Sequence, residues 1–269
     1  MMISIAMMMT AKNKSDVTAA DASRFLATYS AYLWGYGATC IRITKNVNRM
    51  ADYLGYRVDI TILPKHVAVA LTDITTGEYA HYTCAIKILP VSYLANTRMS
   101  KLSWDVAEGK VSVSDAEILL CKISRAPNMS VWAVMCLVVF ANAAFCRLFG
   151  GDVVAMVIVG FATLLGYSIK NICLKHKTDV RAMVLLASFV SAVVGSGGYV
   201  FGITATPEIA LGTSVLYLIP GIPYINSVSD MIDGHYLCFF SRTMQAIVLT
   251  GCIAAGLTLA FMIMNIKIF

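Results

Sequence analysis

The sequence predicts a membrane protein with an amino-terminal cytoplasmic α+β domain (residues 1–126) and a five-helix transmembrane domain (127–269) whose fourth helix is broken by proline and glycine. Three observations predict it. Of 269 residues, 58% are hydrophobic and 13% charged, against about 25% charged in ordinary soluble domains. The charges are also segregated: they are spread through residues 12–125, whereas 131–146, 153–169, 182–207, 209–229 and 243–266 contain none. The third observation is the stretch LIPGIPYINSVSDMIDGH at Leu218–His235, where an apolar run meets two prolines and then a polar cluster.

Within the first domain, Phe25, Tyr29, Tyr32 and Leu33 recur at helical spacing over Asp16–Tyr36, and Gly35 and Gly37 end the run. A second helix is expected over Thr39–Leu54, stopped by Gly55. The segments RVDITILP, HVAVALTD and YAHYTCAIKIL alternate and are rich in β-formers, with turns at Pro64-Lys65 and Thr76-Gly77. They predict a small antiparallel sheet of three or four strands. Two more helices follow, near Val91–Glu108 and, after a Ser114 cap, Asp115–Ile123.

A spanning helix needs roughly 20 mostly apolar residues, which places spans at about 130–148, 152–172, 181–204, 208–225 and 238–266. Lys122, Arg125, Lys170, Lys175, Lys177, Arg181 and Arg242 flank the spans on one side, and only Arg147 and Lys267 on the other. That bias puts the amino-terminal domain in the cytoplasm and the carboxyl terminus outside. Cys40, Cys84 and Cys121 show no disulfide-like spacing, in keeping with a reducing compartment. The opening MMISIAMMM lacks the basic start and cleavage site of a signal peptide. Asn128-Met129-Ser130 fits a glycosylation sequon but falls on the cytoplasmic side, where it is a chance match. The net charge of +6 is mostly this flanking bias and gives no reason to expect nucleic acid as a partner.

No phosphate loop, GxSxG elbow, HExxH pair or cysteine/histidine metal spacing is present, so neither a metal nor a cofactor is expected, nor a catalytic residue. His66 and His81 read as ordinary sheet residues. Gly150 and Gly151 form a tight hairpin, and Asp152 caps the helix after it. Gly195, Gly197 and Gly198 in the third span are either a close-packing face or a flexible gate.

Pro220 and Pro223 lack an amide hydrogen, which frees carbonyls one turn earlier. At membrane depth such backbone is tolerated only where protein, water or a ligand satisfies it, and broken helices form substrate sites in many secondary transporters. The expected substrate-binding set is therefore Pro220, Gly221, Pro223, Asn226, Asp230 and Arg242. The freed carbonyls face an ammonium group or a proton carrier, and amides starting the next helix near Asn226 face a carboxylate. Arg242 is the second anion partner, Asp230 exchanges a proton, and Asp233 and His235 cap and orient the loop. The alternative is a packing kink followed by an interfacial helix.

GATCIRI (Gly37–Ile43), YLGYRVDITILPKHVAVAL (Tyr53–Leu71), GKVSVSDAEILLCKI (Gly109–Ile123), RLFGGD (Arg147–Asp152) and LIPGIPYINSVSDMIDGHY…SR (Leu218–Arg242) stand in the order found in the threonine/serine exporter family. From about residue 20 onward the chain resembles the long subunit of that family's split branch. The resemblance implies a bacterial inner-membrane exporter of threonine and serine, or of a dicarboxylate such as succinate. It also implies a second membrane subunit of about four or five spans and, with the close-packing glycines Gly160 and Gly166, a higher oligomer. Cys40 stands where the family often has an aromatic residue, and PKHV replaces a turn of small residues. Two other readings remain at this stage. One is a membrane-anchored sensor; the other is an intramembrane hydrolase using Ser229, Asp230 or Asp233 with His235.

Overall fold

The computed structural model describes residues 17–127 and 129–266. The opening MMISIAMMM, Asn128 of the sequon and Lys267 lie outside the described residues. The chain divides into two compact units, one of residues up to Pro127 together with Ile222–Thr243, the other of Asn128–Gly221 together with Met244 onward.

In the first unit, α1 (Ala19–Gly35) starts at Thr18, whose hydroxyl accepts the Asp21 amide. Helix α2 (Cys40–Leu54) ends at Gly55, which takes the left-handed φ of +85° that glycine adopts without strain. The sheet has three antiparallel strands in the order β1 (Tyr56–Ile62), β2 (His66–Asp73) and β3 (Tyr79–Ala85). Its register runs from Tyr56 opposite Asp73 to Ile62 opposite Val67, and from His66 opposite Ala85 to Thr72 opposite Tyr79. Alternation sends Val67, Val69 and Leu71 to one face, where they are buried with Phe25, Tyr29, Leu33, Ile43 and Met50 of α1 and α2. Burying each such side chain contributes about 1.5–3 kcal/mol. His66 and His81 point outward and are exposed.

The third strand ends at Ala85 rather than continuing to Leu89, because Leu89 turns back to donate its amide to the Gly35 carbonyl at 3.2 Å. Helices α3 (Tyr93–Ala107) and α4 (Val113–Ser124) follow. The cap of α4 is Ser112, not Ser114: the Ser112 hydroxyl accepts the Asp115 amide at 3.1 Å. Serine is equally suited to both positions, and the buried Val113 side chain decides the phase.

The second unit contains α5 (Val131–Leu148), α6 (Val153–Lys175), α7 (Val180–Gly195), the short α8 (Gly197–Phe201) and α9 (Pro207–Ser214). A 3₁₀ turn at Leu216–Leu218 follows; α10 (Gly221–Ile232), from Ile222 on, and the start of α11 (Tyr236–Met264) belong to the first unit, and α11 from Met244 onward to the second. Met183, Val184, Ala187, Leu211 and Ile253 form its largest buried cluster. Among the described residues, four stretches are long and apolar enough to cross a membrane: Val131–Leu148, Val153–Lys175, Val180–Phe201 and Tyr236–Met264. A fifth exists only if Pro207–Leu218 and Gly221–Ile232 count as one broken span. The expected fourth span at 208–225 is thus two helices, and the third is interrupted at Ser196.

Candidate functional site

The break at Pro220 differs from its expected form. The carbonyls of Val215 and Leu216 are not left free, because the 3₁₀ turn feeds them the amides of Leu218 and Ile219 at 3.0 and 3.1 Å. Ile219 is extended, as the residue before a proline must be. The next helix begins at Gly221, not near Asn226. Pro223 then falls within its first turn, where amides have no intrahelical partner and proline is tolerated. Asn226 is well inside that helix.

Three of the expected site residues converge on the turn between α1 and α2. The Asn226 side-chain amide donates to the Gly37 carbonyl at 2.7 Å. Arg242 Nη2 donates to the Ala38 carbonyl at 2.6 Å, and its guanidinium lies 3.8 Å from the centre of the Trp34 ring. Asp230 Oδ1 accepts the backbone amide of Cys40, the first residue of α2, at 2.9 Å. The other oxygen, Oδ2, lies 3.3 Å from Arg242 Nε in an ion pair.

Thr39, the residue in the cap position of α2, makes no capping bond with its side chain. The carboxylate that serves this helix start comes from 190 residues away, and the positive end of the helix favours its charge. Asp230 is fully buried and Arg242 is 8% exposed, so the pair sits out of bulk water. Arg242 Nη1 is buried without a hydrogen-bond partner among the described residues. The adjacent Cys238 thiol, and then burial, push the Cys40 thiol up. Cys40 therefore stays neutral, and the charges of this cluster rest on Asp230 and Arg242. Asp233 is exposed at the end of α10, 3.5 Å from the Ser229 hydroxyl, and His235 donates its amide to the Asp230 carbonyl at 2.7 Å.

A second polar cluster lies in the other unit. Asn142 in α5 donates to the Thr163 hydroxyl of α6 at 2.6 Å and to the Thr213 carbonyl of α9 at 3.1 Å. Ser191 of α7 meets the Tyr217 hydroxyl at 3.0 Å. Asn142, Tyr217, Ile219 and Gly221 line a groove of about 410 Å³. Asn142 carries no charge and stands outside the expected site, yet a lone amide in an apolar span is itself a signal, since a polar group there needs a partner.

Gly150 takes a left-handed φ of +91°, and a side chain at Gly151 would stand 2.8 Å from the Cys146 carbonyl. Asp152 caps α6 by accepting the Ala155 amide at 2.6 Å. It also accepts from the Thr204 hydroxyl at 2.7 Å and the Ala205 amide at 2.8 Å, so one carboxylate holds two segments. These donors, led by the Ala155 amide, hold its carboxyl below the usual range. A depressed folded-state value adds stability above the ordinary carboxylate pKa, lost as pH falls through the folded value. Asp152→Ala is accordingly expected to lower the melting temperature at neutral pH and to leave it nearly unchanged in strong acid. An equal loss at both pH values would refute the carboxylate's role. Gly195 and Gly198 are close-approach positions: a Cβ would lie 2.7 Å from Ser214 Cβ and 2.6 Å from Thr204 Cγ2. A side chain at Gly197 would, among the described residues, come within 4 Å of Phe201 of its own helix alone.

Apolar helices of spanning length, tied by buried amide and hydroxyl pairs and accompanied by a small α+β unit, define a multi-pass membrane protein. Its family follows from comparison with known proteins. The ThrE family model, described as "Putative threonine/serine exporter", matches residues 24–264, and the chain belongs to that family. It is similar to the "Probable succinate transporter subunit YjjP" of Klebsiella aerogenes, at 24% identity over 250 residues, 91% of this chain and 95% of that protein. It is also 30% identical over 139 residues to the Escherichia coli K12 protein of the same description, a match covering 51% of this chain and 54% of that protein. No solved structure matches the chain. The family and its relatives are named as transporters, not enzymes.

Proposed function

We propose that the chain is the large subunit of a proton-coupled secondary exporter for a small carboxylate-bearing solute. The cargo is a threonine- or serine-like amino acid or a succinate-like dicarboxylate. It works in the bacterial inner membrane with a second membrane subunit of about four or five spans, in a higher oligomer, with its amino-terminal domain cytoplasmic and its carboxyl terminus outside. The observation that carries this reading is the buried Asp230–Arg242 pair, in which the guanidinium meets Asp230 through Nε and the Ala38 carbonyl through Nη2, while Nη1 has no hydrogen-bond partner among the described residues. A substrate carboxylate has the geometry to replace Asp230 on Arg242. Asp230, left buried without its cation, is then the group we assign to proton exchange. Substrate binding and protonation are thereby linked through one exchange of partners. Asn226 releases Gly37 in the same step, while Pro220, Gly221 and Pro223 set where α10 starts. Asp233 and His235 hold the end of that helix, Gly150, Gly151 and Asp152 fix the α5–α6 hairpin, and Gly195, Gly197 and Gly198 supply the hinge of the third span.

The test is export of radiolabelled serine, threonine and succinate from cells expressing the chain with and without the candidate small subunit, at matched membrane levels. Loss of one charge-assisted contact costs about 1.5–3 kcal/mol, so Arg242→Ala is expected to raise the internal concentration for half-maximal export about ten- to a hundred-fold. Asp230→Asn is expected to weaken the dependence on the proton gradient. Unchanged export in both variants would remove this pair from the transport cycle. Full export by the chain alone in liposomes would remove the second subunit.

A further inference from the structure

The amino-terminal unit carries a second group of cations that the export reading does not use. Arg42, Lys45 and Arg49 follow one another at spacings of three and four residues, which places them on one face of α2. Thr97, Ser100 and Trp104 of α3 face them across an open groove of about 510 Å³. Like charges at this spacing repel. Yet among the described residues no carboxylate lies within ion-pair distance of any of the three, whereas Arg24, Lys110 and Arg242 all have acidic partners.

Arg49 is nevertheless held in place, entirely by neutral groups. Its Nη1 donates to Asn46 Oδ1 at 3.2 Å and to the Ser103 hydroxyl at 2.7 Å, and its guanidinium lies 3.6 Å from the centre of the Trp104 ring. Asn46 is buried and is fixed in turn by the Tyr29 and Ser100 hydroxyls at 2.9 and 3.2 Å. Burial pushes the Tyr29 phenol well up, so it remains a neutral support. A positioned guanidinium without a counter-charge, two exposed cations beside it and a lining of hydroxyls make a pre-organised anion site.

We propose that this groove binds a small free dianion, a short dicarboxylate or a phosphate compound. Arg49 is the fixed contact, and Arg42 and Lys45 close over the second acidic group. The seven steps from Arg42 to Arg49 rise about 10 Å along the helix, within which three long cationic side chains can converge on the ligand's acidic oxygens, an arrangement that disfavours a zwitterion, whose ammonium would face a cation. This proposal does not rest on the identity of the exported solute.

The experiment is calorimetric titration of the full chain in phosphatidylcholine nanodiscs with succinate, inorganic phosphate and serine. Saturable binding of at least one dianion is expected, weakened by salt and not displaced by excess serine, which the groove disfavours whether or not serine is held at the Asp230–Arg242 pair. Arg42→Ala/Lys45→Ala, at two exposed positions, is expected to weaken it about ten-fold or more at unchanged melting temperature, and Lys45→Glu further. Absence of saturable dianion binding would overturn the proposal. So would binding that survives Arg42→Ala/Lys45→Ala but disappears in Arg242→Ala, which would place the ligand at the Asp230–Arg242 pair instead.

Discussion

Replacing Asp230 with alanine is expected to destabilise the amino-terminal unit by about 3–5 kcal/mol, the usual consequence of removing one partner from a buried ion pair. Three losses coincide at this residue. Arg242 Nε loses its anion, the Cys40 amide loses its acceptor, and the positive end of α2 loses the carboxylate that faces it. Asp230→Asn keeps the shape and an acceptor for Cys40, so the expected loss is smaller. Replacing both partners with apolar residues of similar size, as in Asp230→Leu/Arg242→Met, is expected to recover much of the stability, because no uncompensated charge is then buried. Chemical unfolding of the purified chain in detergent measures all three. An Asp230→Ala chain as stable as the parent would mean that the pair is open to water, contrary to the burial of both groups.

Gly256→Leu is the second large effect. A Cβ at Gly256 in α11 would stand 2.7 Å from the Leu185 carbonyl oxygen and 2.9 Å from the Phe189 nitrogen of α7, with the Ser188 hydroxyl closer still. Two of these obstacles are backbone, which cannot rotate aside. The helices must separate, and with them the cluster of Met183, Val184, Ala187 and Ile253. In a lipid environment close packing itself drives helix association, and overpacking costs about 1–3 kcal/mol or more. The thermal midpoint of the purified chain is expected to fall for Gly256→Ala and further for Gly256→Leu. An unchanged midpoint for the leucine variant would show that the two helices are not held at this distance.

Local patterns were legible in the sequence and distant ones were not. The Val67, Val69 and Leu71 alternation and the Gly55 stop are properties of neighbouring residues, and each element formed where they indicated. The polar cluster after Pro223 was also visible as a set. What it holds was not, because the partners of Asn226, Asp230 and Arg242 lie near residue 38, and nothing in the spacing of either segment points to the other. Thr39, expected as the first residue of α2, stands instead in its cap position and makes no capping bond with its side chain. The start of α10 was misplaced for a related reason: two prolines look like a helix breaker, but when they fall at a helix start they satisfy its geometry instead.

The amino-terminal unit is made of two stretches of chain, and the second, Ile222–Thr243, follows nearly a hundred residues after the first ends at Pro127. A ribosome therefore releases α1, α2, the sheet, α3 and α4 long before it makes the side chains that hold Gly37, Ala38 and Cys40. Until Asp230 emerges the start of α2 has no carboxylate, and until Arg242 emerges Trp34 has no guanidinium against its ring. The unit that is synthesised first is thus completed late, after α5–α9 have been made, and a nascent chain stopped before Asn226 would carry this fold with its α1–α2 turn unfastened.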